Sequence, residues 1–298
     1  MNPYLLLPIT LLAGLIFSCG KKIYSSKSNG SAASVWLLSS VSALVSFFGL
    51  LIIFGFNSAS TFTIFIGLLY GISYATQLIC DIKALRTGPM SFINLFVSFS
   101  MVLPAISGAL FFGEKMGFAH YIGIILVLVS FILFVKKDTE QKKYDKRWLI
   151  YTAICFVCNG AVSILQKIHG NSVHSAQINE FLIIAFFAIF VIMTAFAIFS
   201  KKNDLGNLFE RKENGKINWS LIILMLIIGV CTAVMHRMNT YLASVIDSAV
   251  FFPIVNGGNA LLVIVASMVV FKEKLDVRQF IGVIVGLVAI LLLCNPFA

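Results

Sequence analysis

The sequence predicts an all-α membrane protein of ten transmembrane helices arranged as two inverted five-helix repeats. Three observations predict it. Hydrophobic residues make up 59% of the chain and charged residues 11%, far from the balance of a soluble domain. Ten apolar runs approach or exceed the roughly 20 helical residues that cross a ~30 Å hydrocarbon core. Finally, Phe112-Gly113-Glu114-Lys115 returns as Phe271-Lys272-Glu273-Lys274, 159 positions later, each followed by a glycine (Gly123, Gly282) and then unbroken hydrocarbon. Five apolar runs separate equivalent points, and five is odd. The second copy therefore enters the bilayer from the opposite side, an arrangement suited to alternating access.

The runs follow in order. The first, at about 3–20, lacks the cationic leader of a cleavable signal; its basic residues Lys21 and Lys22 come afterwards, so it is read as a retained helix. The second lies at about 33–54. The third, at about 60–83, carries Gly67 and Gly71, a close-packing pair. The fourth, at about 88–112, holds Ser91, Asn94 and Ser98 and ends in the first hairpin, before the fifth at about 118–135. A hydrophilic linker, 138–147, then separates a first repeat (1–137) from a second (148–298).

The sixth run, at about 148–168, contains Cys155, Cys158 and Asn159; a C-x-x-C inside an apolar helix reads as small residues at a helix contact. The seventh, at about 178–200, opens on Glu180. The eighth, at about 217–242, carries Thr232, His236 and Asn239. The ninth, at about 248–271, has Pro253 ahead of Asn256-Gly257-Gly258-Asn259, a sequence expected to weaken the helix and free carbonyl groups. The tenth, at about 277–295, repeats a small-residue pattern at Gly282 and Gly286. With every backbone polar group needing an internal partner in lipid and no alternating pattern of a barrel, these runs are helices.

Cations set the orientation. Loops after the odd-numbered runs hold 19 Lys and Arg, and the other side holds only Lys115, Lys167 and Arg237. The positive-inside rule then places both termini outside the cytoplasmic membrane. The same asymmetry accounts for the net charge of +10 through lipid headgroups, so no nucleic-acid partner is implied. No nucleophile elbow, H-E-x-x-H or Walker motif is present. The expected protein is therefore not an enzyme and takes no cofactor and no metal.

Further pairs extend the repeat. Gly14 and Lys21 in run one match Gly160 and Lys167 in run six, and Ser73 and Gln77 match Thr232 and His236 at the 159 offset. This Gly-x6-Lys in the first helix of each half, followed by a Gly-Glu-type hairpin before the fifth, resembles the drug/metabolite transporter superfamily and its EamA-like ten-helix members. The resemblance implies a secondary transporter of small metabolites, often an exporter, with no nucleotide-binding domain or prosthetic group.

Polar residues in mid-membrane mark the expected site. Tyr70, Tyr74, Gln77 and Asp81 recur at helical spacing and share one face. A cavity between runs three, four, eight and nine is expected, with Tyr74, Gln77, Asn94, His236, Asn256 and Asn259 as hydrogen-bonding residues. Asp81 and Arg237 are candidates for coupling or for a charge on the substrate. Such a lining suits a neutral, zwitterionic or amphipathic metabolite or drug, and protons are a candidate coupling ion through His236 or Asp81. The remaining charges near run ends (Lys21, Lys167, Glu180), with Asp81 and Arg237, read mainly as interface residues that snorkel, and Glu114 as a turn residue. Partners are the bilayer and a small solute, with the protein acting as a monomer or homodimer. Two other readings stay open: a membrane-embedded sensor or assembly subunit without flux, and a lipid-carrier flippase.

Overall fold

A computed structural model describes residues 3–27, 32–87, 93, 97–134, 147–199, 219–269 and 276–293. Among these, all regular structure is helical. The α-helices are α1 (Leu7–Lys27), α2 (Ala32–Phe54), α3 (Thr61–Thr87), α4 (Val102–Phe111), α5 (Phe118–Phe134), α6 (Arg147–Gly170), α7 (Ile178–Phe199), α8 (Trp219–Val245), α9 (Ser248–Val269) and α10 (Val277–Leu293). Short 3-10 turns precede α1 and α7 at Pro3–Leu6 and Ser175–Gln177. Among the described residues, six helices are long and apolar enough to span a bilayer, and shorter apolar helices occupy Val97–Phe111, Phe118–Leu133, Ser248–Val263 and Val277–Leu293. At 1.5 Å per residue, the longest cross the hydrocarbon with a turn to spare.

Large apolar side chains cover the outer surface: Ile52 is 80% exposed, Phe111 79% and Phe199 87%. A protein in water does not display such a surface; one in lipid has no reason to hide it. The helix ends follow local chemistry. Gly55 takes a left-handed φ of 71° behind α2 and its N–H closes on Leu51 O at 2.9 Å, a glycine C-cap.

The most extensive helix packing joins the two halves of the chain. The main helix pairs are α2 with α7, α3 with α6, α5 with α10 and α1 with α8, and each takes one helix from either side of the linker. Exchanging first-half and second-half helices by number leaves this set unchanged. Glycines set the closeness of the seams. A Cβ on Gly67 would fall 2.9 Å from Phe181 O, and one on Gly71 2.7 Å from Ala185 O, so α3 and α7 meet backbone to backbone there. Between α5 and α10, Ser130 donates to Gly282 O at 2.9 Å, and Gly286 faces Ser130 and Leu261.

Two expectations need correction. The helix α9 runs without a break through Pro253, Gly257 and Gly258. Gly257 packs toward Val127 and Gly258 toward Leu11, so these small residues serve close approach instead of unwinding. The second correction concerns the charges near helix ends and is described with the site. The 138–147 linker lies largely outside the described residues.

Candidate functional site

A cleft enters the bundle from the end that carries Lys21, Asp81 and Arg86. Its outer part, lined by Lys21, Tyr24, Ser25, Val35, Leu38, Asp81, Ile82 and Arg86, spans about 620 Å³ of space continuous with the outside. There Lys21 Nζ stands 3.8 Å from Asp81, with the two side chains 34% and 23% exposed. Lys21 and Leu38 also belong to an inner part of about 390 Å³, which reaches mid-helix among α1, α2, α3, α7 and α8. Its polar lining is Ser39, Ser42, Tyr74 and Thr232, and its apolar lining includes Phe17, Phe186, Ile189 and Ile228. The rings of Phe17, Tyr74 and Phe186 crowd the inner part. The inner cleft is therefore a narrow slot.

Beyond the slot the bundle is tied shut by a buried polar network. Thr240 donates its hydroxyl hydrogen to His236 O at 2.8 Å. Gln166 Nε2 donates to Thr240 Oγ1 at 3.2 Å and to Tyr70 Oη at 3.1 Å. Tyr70 Oη in turn lies 2.6 Å from His236 Nδ1. Deeper still, Lys167 Nζ pairs with Glu114 Oε1 at 2.5 Å, the side chains 4% and 6% exposed, and donates to Ile246 O at 3.0 Å. Glu114 also accepts from Ser248 N at 2.7 Å and Ser248 Oγ at 3.2 Å. This cluster joins the α4–α5 turn, α6 and the α8–α9 turn.

Local backbone chemistry puts Glu114 there. Gly113 adopts φ 66°, which lets the chain turn back so that Glu114 N reaches Gly108 O at 3.2 Å. Gly108 has no side chain; a Cβ would run into the Glu114 carboxylate and lie 2.8 Å from Ser248 Cβ. The glycine thus creates the seat for the acid. Lys167 is therefore no snorkelling interface residue, and Glu114 is more than a turn residue. Distance along a helix measures depth in the membrane, but not whether two turns fold over a side chain.

The predicted residues are distributed unevenly. Tyr74 lines the slot, and its ring meets His236 edge-on at 4.9 Å. Gln77 sits on the same helix beside the lining residue Leu78, with its buried Oε1 unpartnered among the described residues. His236 is 4% exposed and belongs to the buried network. Asp81 stands in the outer cleft. Asn94 lies outside the described residues. Asn256 donates to Phe252 O in its own helix at 3.0 Å, and the Asn259 amide packs over Gly14; neither lines the slot. Arg237 lies at the far end, where Nε donates to Asn179 Oδ1 at 2.8 Å and the guanidinium stands over Phe54. Glu180, also at that end, is buried and accepts from Asn57 N at 3.3 Å.

The slot therefore draws on α1, α2 and α7 besides α3 and α8, where α3, α4, α8 and α9 were expected. Ser39, Ser42, Thr240 and Gln166 are contributors that sequence reasoning missed. A serine or threonine in an apolar run is ordinary helix-packing chemistry, so nothing flagged them. The repeated Lys and the repeated hairpin Glu did flag Lys167 and Glu114, though not their contact. A separate groove of about 550 Å³ between α4 and α6 is lined almost wholly by apolar residues (Leu103, Ile106, Leu110, Phe111, Val157). It shares no lining residue with the slot and reads as a lipid-facing crevice.

A bundle of apolar helices surrounding a polar, one-ended cleft belongs to the class of multi-pass helical membrane proteins. A family model described as the EamA-like transporter family matches residues 146–295, half of the chain, and the chain belongs to that family within the drug/metabolite transporter superfamily. It is a membrane transporter of that type. Among 28 matching chains of solved structures, one crystal structure aligns with a TM-score of 0.68 at 12% identity over 96% of both chains; at that identity the likeness concerns the fold. No curated protein matches the chain.

Proposed function

We propose that the protein is a secondary transporter, working as an exporter across the cytoplasmic membrane, for small neutral, zwitterionic or amphipathic metabolites or drugs. Residues 1–137 and 148–298 act as two inverted five-helix repeats that rock about the slot between them. The observation that carries this reading is the asymmetry of the cleft. One end is wide at Lys21 and Asp81, and the other is shut by the Lys167–Glu114 pair and the Tyr70–His236–Gln166–Thr240 network. Alternating access needs one closed end at a time, and a buried charge pair between two turns is a reversible way to close one. The unchanged helix-pair set on exchange of the halves supports the two-fold relation. The cation-rich loops support placing the open end at the cytoplasm, so this state would load its solute from within the cell.

The test compares metabolites released by cells overexpressing the wild-type chain with those released by cells carrying Thr232→Trp. Thr232 lines the slot, so a tryptophan fills it. The wild-type chain is expected to enrich the medium in one or a few metabolites, and the variant to abolish the enrichment at equal membrane abundance. Equal release from both strains and from cells without the protein would refute export.

A further inference from the structure

We infer that the transported solute is uncharged and amphipathic, with a hydrogen-bond acceptor read by His236, a donor read by Gln77, and an apolar body. This deepens the transport reading and rests on it. The argument begins with a proton count. Thr240 commits its hydroxyl hydrogen to His236 O, so its oxygen can accept from Gln166 Nε2. The second hydrogen of the same amide goes to Tyr70 Oη. Tyr70 is then the donor to His236 Nδ1, because its own hydrogen has no other described taker. A neutral imidazole that accepts at Nδ1 carries its hydrogen on Nε2. The network therefore fixes the tautomer and leaves an N–H at Nε2, which is buried and has no partner among the described residues.

Two more orphans lie close by in the fold. Ser42 Oγ, on a residue lining the slot, and Gln77 Oε1, next to the lining residue Leu78, are buried and likewise unpartnered among the described residues. Leaving such groups unpaired is costly, and three on the helices that frame one slot constitute an unfilled recognition pattern: a donor, an acceptor and a hydroxyl that can act as either. Two of the rings packed around His236 also line the slot, the third being that of Tyr70. Tyr74 and Phe186 both pack edge-on against the imidazole, at 4.9 and 5.6 Å, and both line the slot. A solute that turns these two rings aside widens the slot toward the imidazole. Phe17, Leu38, Ile189 and Ile228 receive an apolar body. The charged side chains lining the cleft are Lys21, Asp81 and Arg86; Lys21, which also lines the slot, faces Asp81 at 3.8 Å, so its charge is already offset when a solute arrives.

The experiment uses the full chain in lipid nanodiscs and radiolabelled N-acetyl-L-phenylalaninamide as the neutral probe. An anion, N-acetyl-L-phenylalaninate, and a cation, phenethyltrimethylammonium, serve as comparisons. The neutral probe is expected to bind at least about tenfold more tightly than either ion. Ser42→Ala and Gln77→Met each remove an orphaned atom; each is expected to weaken neutral-probe binding about tenfold while the melting temperature stays level or rises, because a buried unpaired group has been removed. A merely structural role would not produce that opposition. His236→Leu is expected to abolish binding, but it also strips Tyr70 of its acceptor, so the two milder variants decide the question. Equal or tighter binding of either ion, no binding of the neutral probe at millimolar concentration, or wild-type affinity in both milder variants would overturn the inference. Metabolite export with any of these results would leave transport standing and remove only the recognition scheme; neutral-probe binding with the predicted variant effects but no export would do the reverse.

Discussion

Replacing Lys167 with Met should release the closed end of the bundle. The pair it forms with Glu114 spans 2.5 Å, with both side chains almost fully buried. Breaking such a pair from one side leaves an uncompensated carboxylate and costs about 3–5 kcal/mol. Ser248 N and Ser248 Oγ still donate to Glu114 and offset part of the loss. Even about 1.4 kcal/mol remaining would move the closed-to-open ratio tenfold. The readout is a single cysteine at Ile246, 3% exposed and bonded through its carbonyl to Lys167, in a background without the six native cysteines. A membrane-impermeant thiol reagent should label Ile246→Cys at least about tenfold faster when Lys167→Met is present. The double variant Glu114→Gln with Lys167→Met removes both charges and keeps an acceptor for Ser248, so labelling should return close to the starting rate. Exchanging the charges (Glu114→Lys with Lys167→Glu) should not restore closure, because Ser248 offers donors to position 114 and Ile246 an acceptor to position 167. Unchanged labelling and an unchanged melting temperature in Lys167→Met would refute the view that this pair holds the end shut.

The helix seams and the buried network give two further expectations. Gly71→Ala places a Cβ about 2.7 Å from Ala185 O and 2.9 Å from Ala188 Cβ and should destabilise by about 1–3 kcal/mol. Gly49→Ala, with nothing within 4 Å of its Cβ, should instead gain up to about 1 kcal/mol of helix propensity; equal unfolding midpoints for the two variants in detergent would contradict the seam. Tyr70→Phe removes the hydroxyl between Gln166 and His236 and should cost about 1–3 kcal/mol; a melting temperature at or above wild type would show that the hydroxyl does not hold the network together.

Hydropathy reads a transmembrane helix directly, because span length and composition are properties of one segment. The second run was expected at 33–54 and found as Ala32–Phe54, the sixth at 148–168 and found as Arg147–Gly170. The close approach at Gly67 and Gly71 was equally legible, since two small residues four apart have few other uses in an apolar helix. What the sequence concealed depends on neighbours. Lys167 lies at the far end of its helix, where a lysine ordinarily reaches water; only the turn that returns Glu114 over Gly108, and the turn at Ile246–Ser248, bury it. The doublet of glycines after Pro253 suggested an unwound helix, yet close packing uses the same residues with the helix intact. Ser39 and Ser42 gave no sign of lining a slot, because a hydroxyl that bonds nothing and one that bonds a neighbouring helix are the same letter.

The pairing of helices across the linker has a bearing on how the chain is made. Among the described residues, three apolar clusters mix residues from both sequence halves: Tyr24 and Leu38 meet Met225 and Ile228, Ile66 and Tyr70 meet Phe181 and Phe186, and Ile124 meets Ala289 and Leu293. During synthesis the first five helices thus leave the ribosome before most of their packing partners exist. They must wait in the bilayer as separately inserted rods, with their small-residue faces against lipid, until the later helices arrive. Biogenesis is then committed late, and a nascent chain interrupted after the linker would be a substrate for membrane quality control instead of a half-finished carrier.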